Sequence, residues 1–195
     1  ADPNVKNEAQ LVAWWKTLAT YFGAEHPQLG FDLIYDPADK LNRDQAGLNR
    51  AYENIIRTVH EINAQRMIFI APRLRAAPEE LNTLKLPPHS QNYLLAEWHI
   101  FPWGPLKNNG KYPWTSGTAA EKAAIRTRIN TAVRWQQKTG HVRWVGGWSV
   151  SETIKTARVD SQNAFATLMT CELNRAKIPY AIKADTQFYD GEEGN

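Results

Sequence analysis

The stretch FDLIYDPADKLN, residues 31–42, combines a strand-like run with a carboxylate and a proline at its end. Four apolar or aromatic residues surround one acid before Asp36, and Pro37 follows where the strand must stop, because proline has no amide hydrogen for a sheet. A strand of this composition, buried on both faces, is typical of a parallel sheet. In α/β barrels, catalytic groups lie at the C-terminal ends of such strands. The segment therefore predicts a parallel α/β fold with a functional site beside Asp36.

Helix-like and strand-like segments alternate along the rest of the chain. Helices are indicated by apolar residues at three- and four-residue spacing, and strands by short apolar runs between turn residues. The predicted helices are 8–22, 45–63, 119–139 and 160–176, and the predicted strands are 31–36, 66–72, 92–101, 141–148 and 178–185. This alternation is typical of a parallel sheet with right-handed crossovers. Since no linker or repeat divides the chain, we expect a single domain over residues 1–195 with about five parallel strands.

Composition excludes several classes of function. With 43% hydrophobic residues in 195, the chain can bury a sizeable core. The 23 basic and 20 acidic residues are interspersed, and no basic run is present that would follow a phosphate backbone, so we expect no nucleic-acid partner. No apolar stretch approaches the roughly 18 residues of a membrane span, so no membrane partner is expected. Cys171 is the only cysteine, and its apolar setting indicates a buried structural thiol.

Five segments resemble, in the same order, those of family 5 glycoside hydrolases, the cellulase-type (β/α)8 barrels. FDLIYDP (31–37) is similar to the fourth-strand motif F-E-L-x-N-E-P, and NAQRMIFIAP (63–72) resembles the segment leading into the fifth strand. EWHIF (97–101) is similar to the sixth strand with its H-Y-Y histidine, and GHVRWVGGW (140–148) resembles the seventh-strand segment ending in G-E-F. RAKIPYAIKADTQFYD (175–190) resembles the passage into the last strand. The resemblance implies a TIM-barrel-like fold, apparently partial, from the third helix to the eighth strand.

The same resemblance implies a damaged catalytic pair. Retaining enzymes of this type need two carboxyl groups about 5 to 5.5 Å apart, one as acid/base and one as nucleophile. The acid/base glutamate of N-E-P corresponds to Asp36, and the preceding asparagine, which holds the sugar's 2-hydroxyl, corresponds to Tyr35. The nucleophile of G-E-F corresponds to Gly147, which has no side chain. The expected activity is therefore that of an endo-β-1,4-glucanase, without metal or cofactor, either catalytically weakened or reduced to a pseudoenzyme with a cavity over Gly147.

Other acids are candidates for the missing carboxylate. Glu97 lies two residues before His99, so both side chains point to the same side of their strand. The alternative for Glu97 is a buried acid satisfied by a basic partner. Asp185 ends the last predicted strand and could be a general base, and Glu152 follows the seventh-strand segment, although a helix start explains it equally well. The resemblance gives His99 the role of orienting a hydroxyl or carboxylate rather than binding metal.

Tryptophans form the second functional signal. Indole rings stack on the apolar faces of sugars, and neighbouring polar groups then bind the hydroxyls. Trp103, Trp114 and Trp148 fall at strand ends or in the Gly- and Pro-rich segment 102–118, so we expect them to contact a polysaccharide. The alternative for the two in the segment is that they anchor this loop.

A five-stranded part of an eight-stranded barrel leaves two sheet edges unpaired. We therefore expect either a homo-oligomer or a missing N-terminal half-barrel. The first residues, Ala-Asp-Pro, show no signal-peptide pattern and are compatible with a terminus left after secretion, so we expect a secreted, extracellular protein. Three hypotheses remain: an enzyme acting on β-1,4-linked glucan, a non-catalytic glycan-binding module, and a structural or assembly unit derived from the barrel.

Overall fold

The fold is built on one parallel sheet whose strands follow chain order. The computed structural model describes residues 5–87, 90, 92–101, 114–149 and 159–183, without the side chains of residues 5 and 6. The five strands are β1 (Phe31–Asp32), β2 (Ile68–Ile70), β3 (Leu94–His99), β4 (Arg143–Trp148) and β5 (Tyr180–Ile182). Each strand pairs in parallel with the next along the chain, and the sheet curls as a half-barrel. The predicted α/β sheet of five parallel strands is confirmed.

Helices connect the strands and cover the outer face of the sheet. They are α1 (Val5–Tyr21), α2 (Gln45–Ile62), the single turn α3 (Arg73–Ala76), α4 (Ala119–Thr139) and α5 (Val159–Arg175), with 3-10 helices at Asp39–Arg43 and Pro78–Thr83. The four long helices lie where the apolar spacing predicted them. Within the described residues, no helix is both long enough and apolar enough to cross a membrane.

Local sequence signals fix the ends of the two most regular helices. The Asp44 carboxylate accepts a hydrogen bond from the Gly47 amide at 2.7 Å and so caps the start of α2. At the start of α4, Thr118 and Glu121 form a reciprocal capping box, which satisfies amides that have no partner inside the helix. Helix α4 ends at Gly140, which has φ 75°, a left-handed conformation that glycine adopts without steric cost. The cap at Gly140 sets where the chain leaves α4 and enters β4.

The core lies between the outer face of the sheet and the helices. Alternate strand residues point outwards and are fully buried there, including Ile68, Leu94 and Trp98. The residues between them, such as Phe69 and Leu95, face the concave side and are only half-buried. The sequence-based prediction that β1 is buried on both faces is thus wrong for the chain as described. The concave face meets no further layer of secondary structure in the described residues.

Strand β1 is shorter than the predicted strand 31–36. After Asp32 the pairing continues through one bond, from the Leu33 amide to the Phe69 carbonyl at 3.1 Å, and the chain then turns away before Pro37. The predicted groups nevertheless gather at one edge, because the C-terminal ends of parallel strands meet on the same side of a sheet. Asp36 follows β1, His99 ends β3, and Gly147 is the penultimate residue of β4.

Candidate active site

Four charged side chains form a continuous array at the C-terminal edge of the sheet. Arg75 Nη1 donates to Asp36 Oδ2 at 3.0 Å, and Asp36 Oδ1 lies 3.8 Å from His99 Nδ1. On the other side of the imidazole, His99 Nε2 lies 2.7 Å from Glu97 Oε1. His99 thus stands between two carboxyl groups, one from the segment after β1 and one from its own strand.

The electrostatics of this array favour a charged imidazole. Burial alone lowers the pKa of His99, but Asp36 and Glu97 together outweigh burial, so that the pKa of the imidazole is raised. At 3.8 Å the contact with Asp36 is an ion pair rather than a hydrogen bond. Asp36 Oδ1 and His99 Nδ1 are both buried and have no hydrogen-bond partner within the described residues. These two atoms therefore have hydrogen-bonding capacity that no described residue uses.

Arg75 reaches Asp36 from a strained turn. Leu74, Arg75 and Ala76 all have φ near 57°, a conformation that residues with a side chain rarely adopt. Hydrogen bonds to two other segments help to hold the turn: the Leu74 amide donates to Asn42 Oδ1 at 2.7 Å, and the Arg75 amide donates to the Pro37 carbonyl at 2.9 Å. Strain of this kind accumulates at functional sites, where the surrounding contacts maintain it. Here it brings a guanidinium to the acid/base candidate.

The position over Gly147 is occupied. A Cβ placed on Gly147 would lie 2.5 Å from the Tyr35 hydroxyl oxygen, too close for any real contact. The Tyr35 ring lies against the His99 imidazole, with centroids 4.3 Å apart, and the residue is 41% exposed. The prediction of a cavity over Gly147 is therefore wrong. The phenol of Tyr35 stands where the first atoms of a nucleophilic side chain would be.

A second glycine makes room for Glu97. A Cβ on Gly146 would lie 1.8 Å from Glu97 Oε1, so only glycine permits the Glu97 carboxyl to fold over β4. The pairing between β3 and β4 shifts register here, from Trp98 opposite Val145 to His99 opposite Gly147. Glu97 is only 2% exposed. A carboxyl from the neighbouring strand thus lies over the residue just before Gly147.

A cleft of about 220 Å³ opens on the concave face beneath these groups. Asp32, Tyr35 and Glu97 supply its polar atoms, and Phe69 and Trp144, with ring centroids 6.0 Å apart, supply its aromatic ones. Burial, and secondarily the charge of Glu97, raises the pKa of Asp32 to about 7. Asp32 therefore holds its proton over much of the pH range in which an ordinary aspartate has lost it.

Two of the predicted sugar-binding tryptophans lie in the core. Trp114 is 1% exposed, packs edge-on against Phe165, and donates its indole hydrogen to the Ser161 carbonyl at 3.1 Å. Trp148 is 3% exposed and lies between Phe165 and Tyr180. Neither presents an indole face to a ligand, so this part of the sequence-based expectation is corrected.

Trp103, Glu152 and Asp185 lie outside the described residues. The only cysteine, Cys171, is exposed rather than buried.

Sequence reasoning missed Arg75, Asp32 and the two aromatic residues of the cleft. Asp32 occupies the acidic position of the F-E-L motif, which was a usable signal. Arg75 carried no such signal, because no pattern in the residues around it predicts a left-handed turn that contains no glycine. A larger cavity of about 300 Å³ lies near Asn49 and Lys85, away from this array. The described residues contain no group of three or more His, Cys, Asp or Glu side chains placed to hold a metal ion.

Comparisons with known proteins agree with this fold. The sequence profile of the cellulases (glycosyl hydrolase family 5) matches residues 2–182. No curated protein matches the chain. Among solved structures, an endoglucanase superposes with a TM-score of 0.81 at 19% identity, over 97% of this chain and 63% of that one.

Two further structures superpose equally well. The cellulose synthase subunit Z (CcsZ) of Clostridioides difficile gives 0.81 at 19% identity, over 96% of this chain and 64% of that one. Endoglucanase Cel5A of Thermotoga maritima gives 0.83 at 15% identity, over 98% and 64%. The chain thus spans just under two thirds of the length of each of these structures.

Proposed function

Since the chain belongs to glycosyl hydrolase family 5, we propose that it acts on β-1,4-linked glucan as a catalytically weakened endo-β-1,4-glucanase. The observation that carries this proposal is the array of Asp36, His99 and Glu97 at the C-terminal edge of the sheet. Buried carboxyl and imidazole groups with unpartnered atoms are costly unless a ligand uses them. A glycosidic oxygen and sugar hydroxyls are suitable partners for these atoms.

Asp36 is the proton donor in this proposal. Its Oδ2 is held by Arg75, which leaves Oδ1 to meet the leaving oxygen. Gly147 cannot attack the anomeric carbon, and Tyr35 fills the space where a small anion would otherwise bind. The usual two-carboxylate mechanism supplies much of the rate of such enzymes, so its loss implies slow turnover.

Phe69 and Trp144 are the aromatic residues that we propose for sugar contact. Both line the cleft and both are half-buried, so their rings can still meet a ligand. Asp32 and Glu97 flank them and offer hydrogen bonds to equatorial hydroxyls. This arrangement of a ring face with polar neighbours is typical of sugar sites. It replaces the role first expected of Trp114 and Trp148.

Binding without cleavage is the second candidate function, and Gly147 is the observation that favours it. The endoglucanases that superpose on this chain are named for hydrolysis, but a chain without the nucleophile carboxylate could keep glucan recognition alone. The two candidates share the binding step. They differ in whether an activated substrate is turned over.

The barrel is incomplete over the described residues, and we propose that a second copy or a further half-barrel completes it. The superposed relatives are about half as long again as this chain. The concave face carries half-buried Phe69, Leu95 and Trp144, which would be shielded by additional strands. Polymers of β-1,4-linked glucan lie outside cells. We therefore also propose that the protein is extracellular.

Calorimetric titration with cellohexaose, xylohexaose and mannohexaose tests the binding step. We expect micromolar to millimolar affinity for at least one of them, and Trp144→Ala weakens it by about 1–3 kcal/mol, as for other packed aromatic contacts. Trp114→Phe, in the core, is the matched control and leaves affinity unchanged. No heat and no shift of melting temperature with any of the three sugars would leave only the assembly hypothesis.

A further inference from the structure

We propose that Tyr35 is the nucleophile of this site and that Glu97 is its general base. This rests on the proposed function, because it names the group that would attack a bound β-glucan. The substitution of a tyrosine for the usual carboxylate has a chemical precedent, since sialidases form their glycosyl-enzyme on a tyrosine. Here the tyrosine comes from the segment after β1 rather than from β4.

The position of the hydroxyl carries the proposal. The Tyr35 oxygen lies 2.5 Å from the point where a Cβ on Gly147 would be, which places it at the root of the missing nucleophile. The residue is 41% exposed, so a sugar can reach it. Asp36 is the next residue in the chain, and its Oδ1 has no hydrogen-bond partner within the described residues. A proton donor and a nucleophilic oxygen therefore flank the same space.

A phenol needs a base, and Glu97 is the carboxylate placed to act as one. Burial, and then the charges of Glu97, Asp36 and Asp32, raise the pKa of Tyr35 to about 12, so that the phenol stays neutral near pH 7. Tyr35 and Glu97 line the same cleft. Hydrogen bonds between a nucleophile and its base are often long before substrate binds and tighten in the complex. Glycine at position 146 is what lets the Glu97 carboxyl approach.

The imidazole of His99 lies beside both Tyr35 and Glu97 and can stabilise negative charge on either of them. Its ring packs 4.3 Å from the Tyr35 ring, and its Nε2 lies 2.7 Å from Glu97 Oε1. A protonated imidazole beside a phenol stabilises the negative charge that develops as the phenol loses its proton. The imidazole also holds the carboxyl in one orientation. Tyr35, His99 and Glu97 thus have the relation of nucleophile, orienting group and base that characterises activated nucleophiles.

The proposed reaction is balanced in two steps. In the first, which starts from protonated Asp36 and ionised Glu97, the Tyr35 oxygen bonds to the anomeric carbon while its proton passes to Glu97, and the bond to the leaving oxygen breaks as Asp36 protonates that oxygen. In the second, water attacks the anomeric carbon, gives its proton to Asp36, and the Tyr35 oxygen leaves with the proton held by Glu97. Two inversions give net retention, and every group returns to its starting state.

Trapping the intermediate tests the proposal directly. The full chain is incubated with 2,4-dinitrophenyl 2-deoxy-2-fluoro-β-cellobioside, digested with trypsin and analysed by mass spectrometry with fragmentation. We expect one fluorocellobiosyl group per chain, on Tyr35. Tyr35→Phe removes the label while retaining the ring. Glu97→Gln slows labelling at least tenfold at pH 7, and the rate recovers as pH rises because the phenol then ionises without a base. A purely structural role for Glu97 would give no such recovery.

Azide provides an independent test that does not depend on trapping. Tyr35→Ala opens the space over Gly147, so azide should restore cleavage of 2,4-dinitrophenyl β-cellobioside and yield the α-glycosyl azide. The wild-type chain, whose hydroxyl fills that space, should show no azide effect. Circular dichroism and melting temperature establish that each variant folds, and Tyr35→Phe serves as the variant that preserves packing.

The outcomes separate this proposal from the proposed function. A label on Asp36 or Glu97, or turnover with inversion and no label, overturns Tyr35 as the nucleophile while leaving a glucan-acting enzyme. Turnover by Tyr35→Phe at the wild-type rate overturns it equally. Absence of turnover, of labelling and of cello-oligosaccharide binding by the folded wild-type chain would reject both proposals.

Discussion

His99 derives its charge from the two carboxylates beside it, and Glu97 is the closer one. Glu97→Gln keeps the shape and a hydrogen-bonding group but removes the negative charge 2.7 Å from Nε2. We expect the pKa of His99 to fall by about one pH unit or more, as when a charge partner is lost. Proton NMR titration of the histidine C2 signals, assigned with His99→Asn, measures it. The signal of His60, which contacts the Arg66 carbonyl away from the site, is the internal control.

The raised pKa of His99 also makes the stability of the fold depend on pH. The folded-state pKa of His99 is raised above 6.5, so the stability contributed by its charged form is fully present below pH 6.5 and is lost as pH rises through the folded value. In Glu97→Gln this pH dependence should be smaller. An unchanged His99 titration in the variant would show that Asp36 alone sets the imidazole's charge.

Asp32 should destabilise the folded chain at neutral pH. Its pKa rises from 3.8 to about 7 on folding, so the unfolded chain loses this proton first and stability falls as pH increases from about 4 to 7. Asp32→Asn should therefore be more stable than wild type at pH 8, by about 1–2 kcal/mol after allowing for solvent screening at this half-exposed site. Near pH 4 the difference should vanish.

Urea unfolding at pH 4 and pH 8 measures this difference. Asp39→Asn, at an exposed aspartate on the neighbouring 3-10 helix, is the matched control for the change of aspartate to asparagine. A constant difference between Asp32→Asn and wild type across this pH range would contradict the raised pKa.

For individual residues, the sequence predicted which of them come together but not how their side chains interact. The motif spacing brought Asp36, His99 and Gly147 to one edge, because strand ends in a parallel sheet are set by chain order. The filling of the space over Gly147 by Tyr35 depends on a side-chain orientation across strands, which no pattern along one strand can give.

Among the elements, the pairing of β3 with β4 depends on a glycine. Gly146→Ala would place a methyl group 1.8 Å from Glu97 Oε1, so the carboxyl must move away from its position beside His99. We expect a loss of about 1–3 kcal/mol in the free energy of unfolding, the usual cost of overpacking. Denaturant unfolding measures it.

A double-mutant cycle isolates the contact. In the Glu97→Ala background the space is free, so the added methyl should cost much less than in wild type. Equal costs in the two backgrounds would show that Gly146 is required by the strand itself rather than by Glu97.

Element boundaries were predicted well for the long helices and poorly for β1. The helices carry periodic apolar faces and explicit caps, such as Thr118 and Glu121 for α4. The sequence predicts a six-residue strand at 31–36 because apolar residues continue beyond Asp32. In the structure β1 contains only Phe31 and Asp32. The turn that follows is fixed by tertiary contacts, among them the hydrogen bond from Arg75 to Pro37.

For the whole molecule, the half-exposed concave face predicts association. Apolar side chains such as Leu95 and Trp144, together with unpaired sheet edges, are costly to leave in water. We expect the chain to form a dimer or larger assembly in solution. Sedimentation velocity over a range of concentrations measures this, with Leu95→Lys expected to shift the equilibrium towards monomer. A monodisperse monomer at all concentrations would contradict the expectation.

The architecture was predicted from alternation alone, whereas the fate of the tryptophans was not. Parallel order follows from the long helices that separate three of the four consecutive strand pairs, whereas β2 and β3 are joined by the single turn α3 and a 3-10 helix. Trp114 and Trp148 were expected at the surface because they flank loops, yet both fill the space between the sheet and α5. Position near a strand end does not determine which side of the sheet a large ring enters.

Comparison of activated and unactivated glucan as substrates tests the central claim most directly. Proton NMR time courses with an aryl β-cellobioside and with cellohexaose give both the rate and the anomer first formed. A weakened site of this kind predicts slow turnover of the aryl cellobioside and almost none of cellohexaose, with Asp36→Asn slowing the reaction only for poor leaving groups. Hydrolysis of cellohexaose at ordinary cellulase rates, undiminished in Asp36→Asn, would contradict the account.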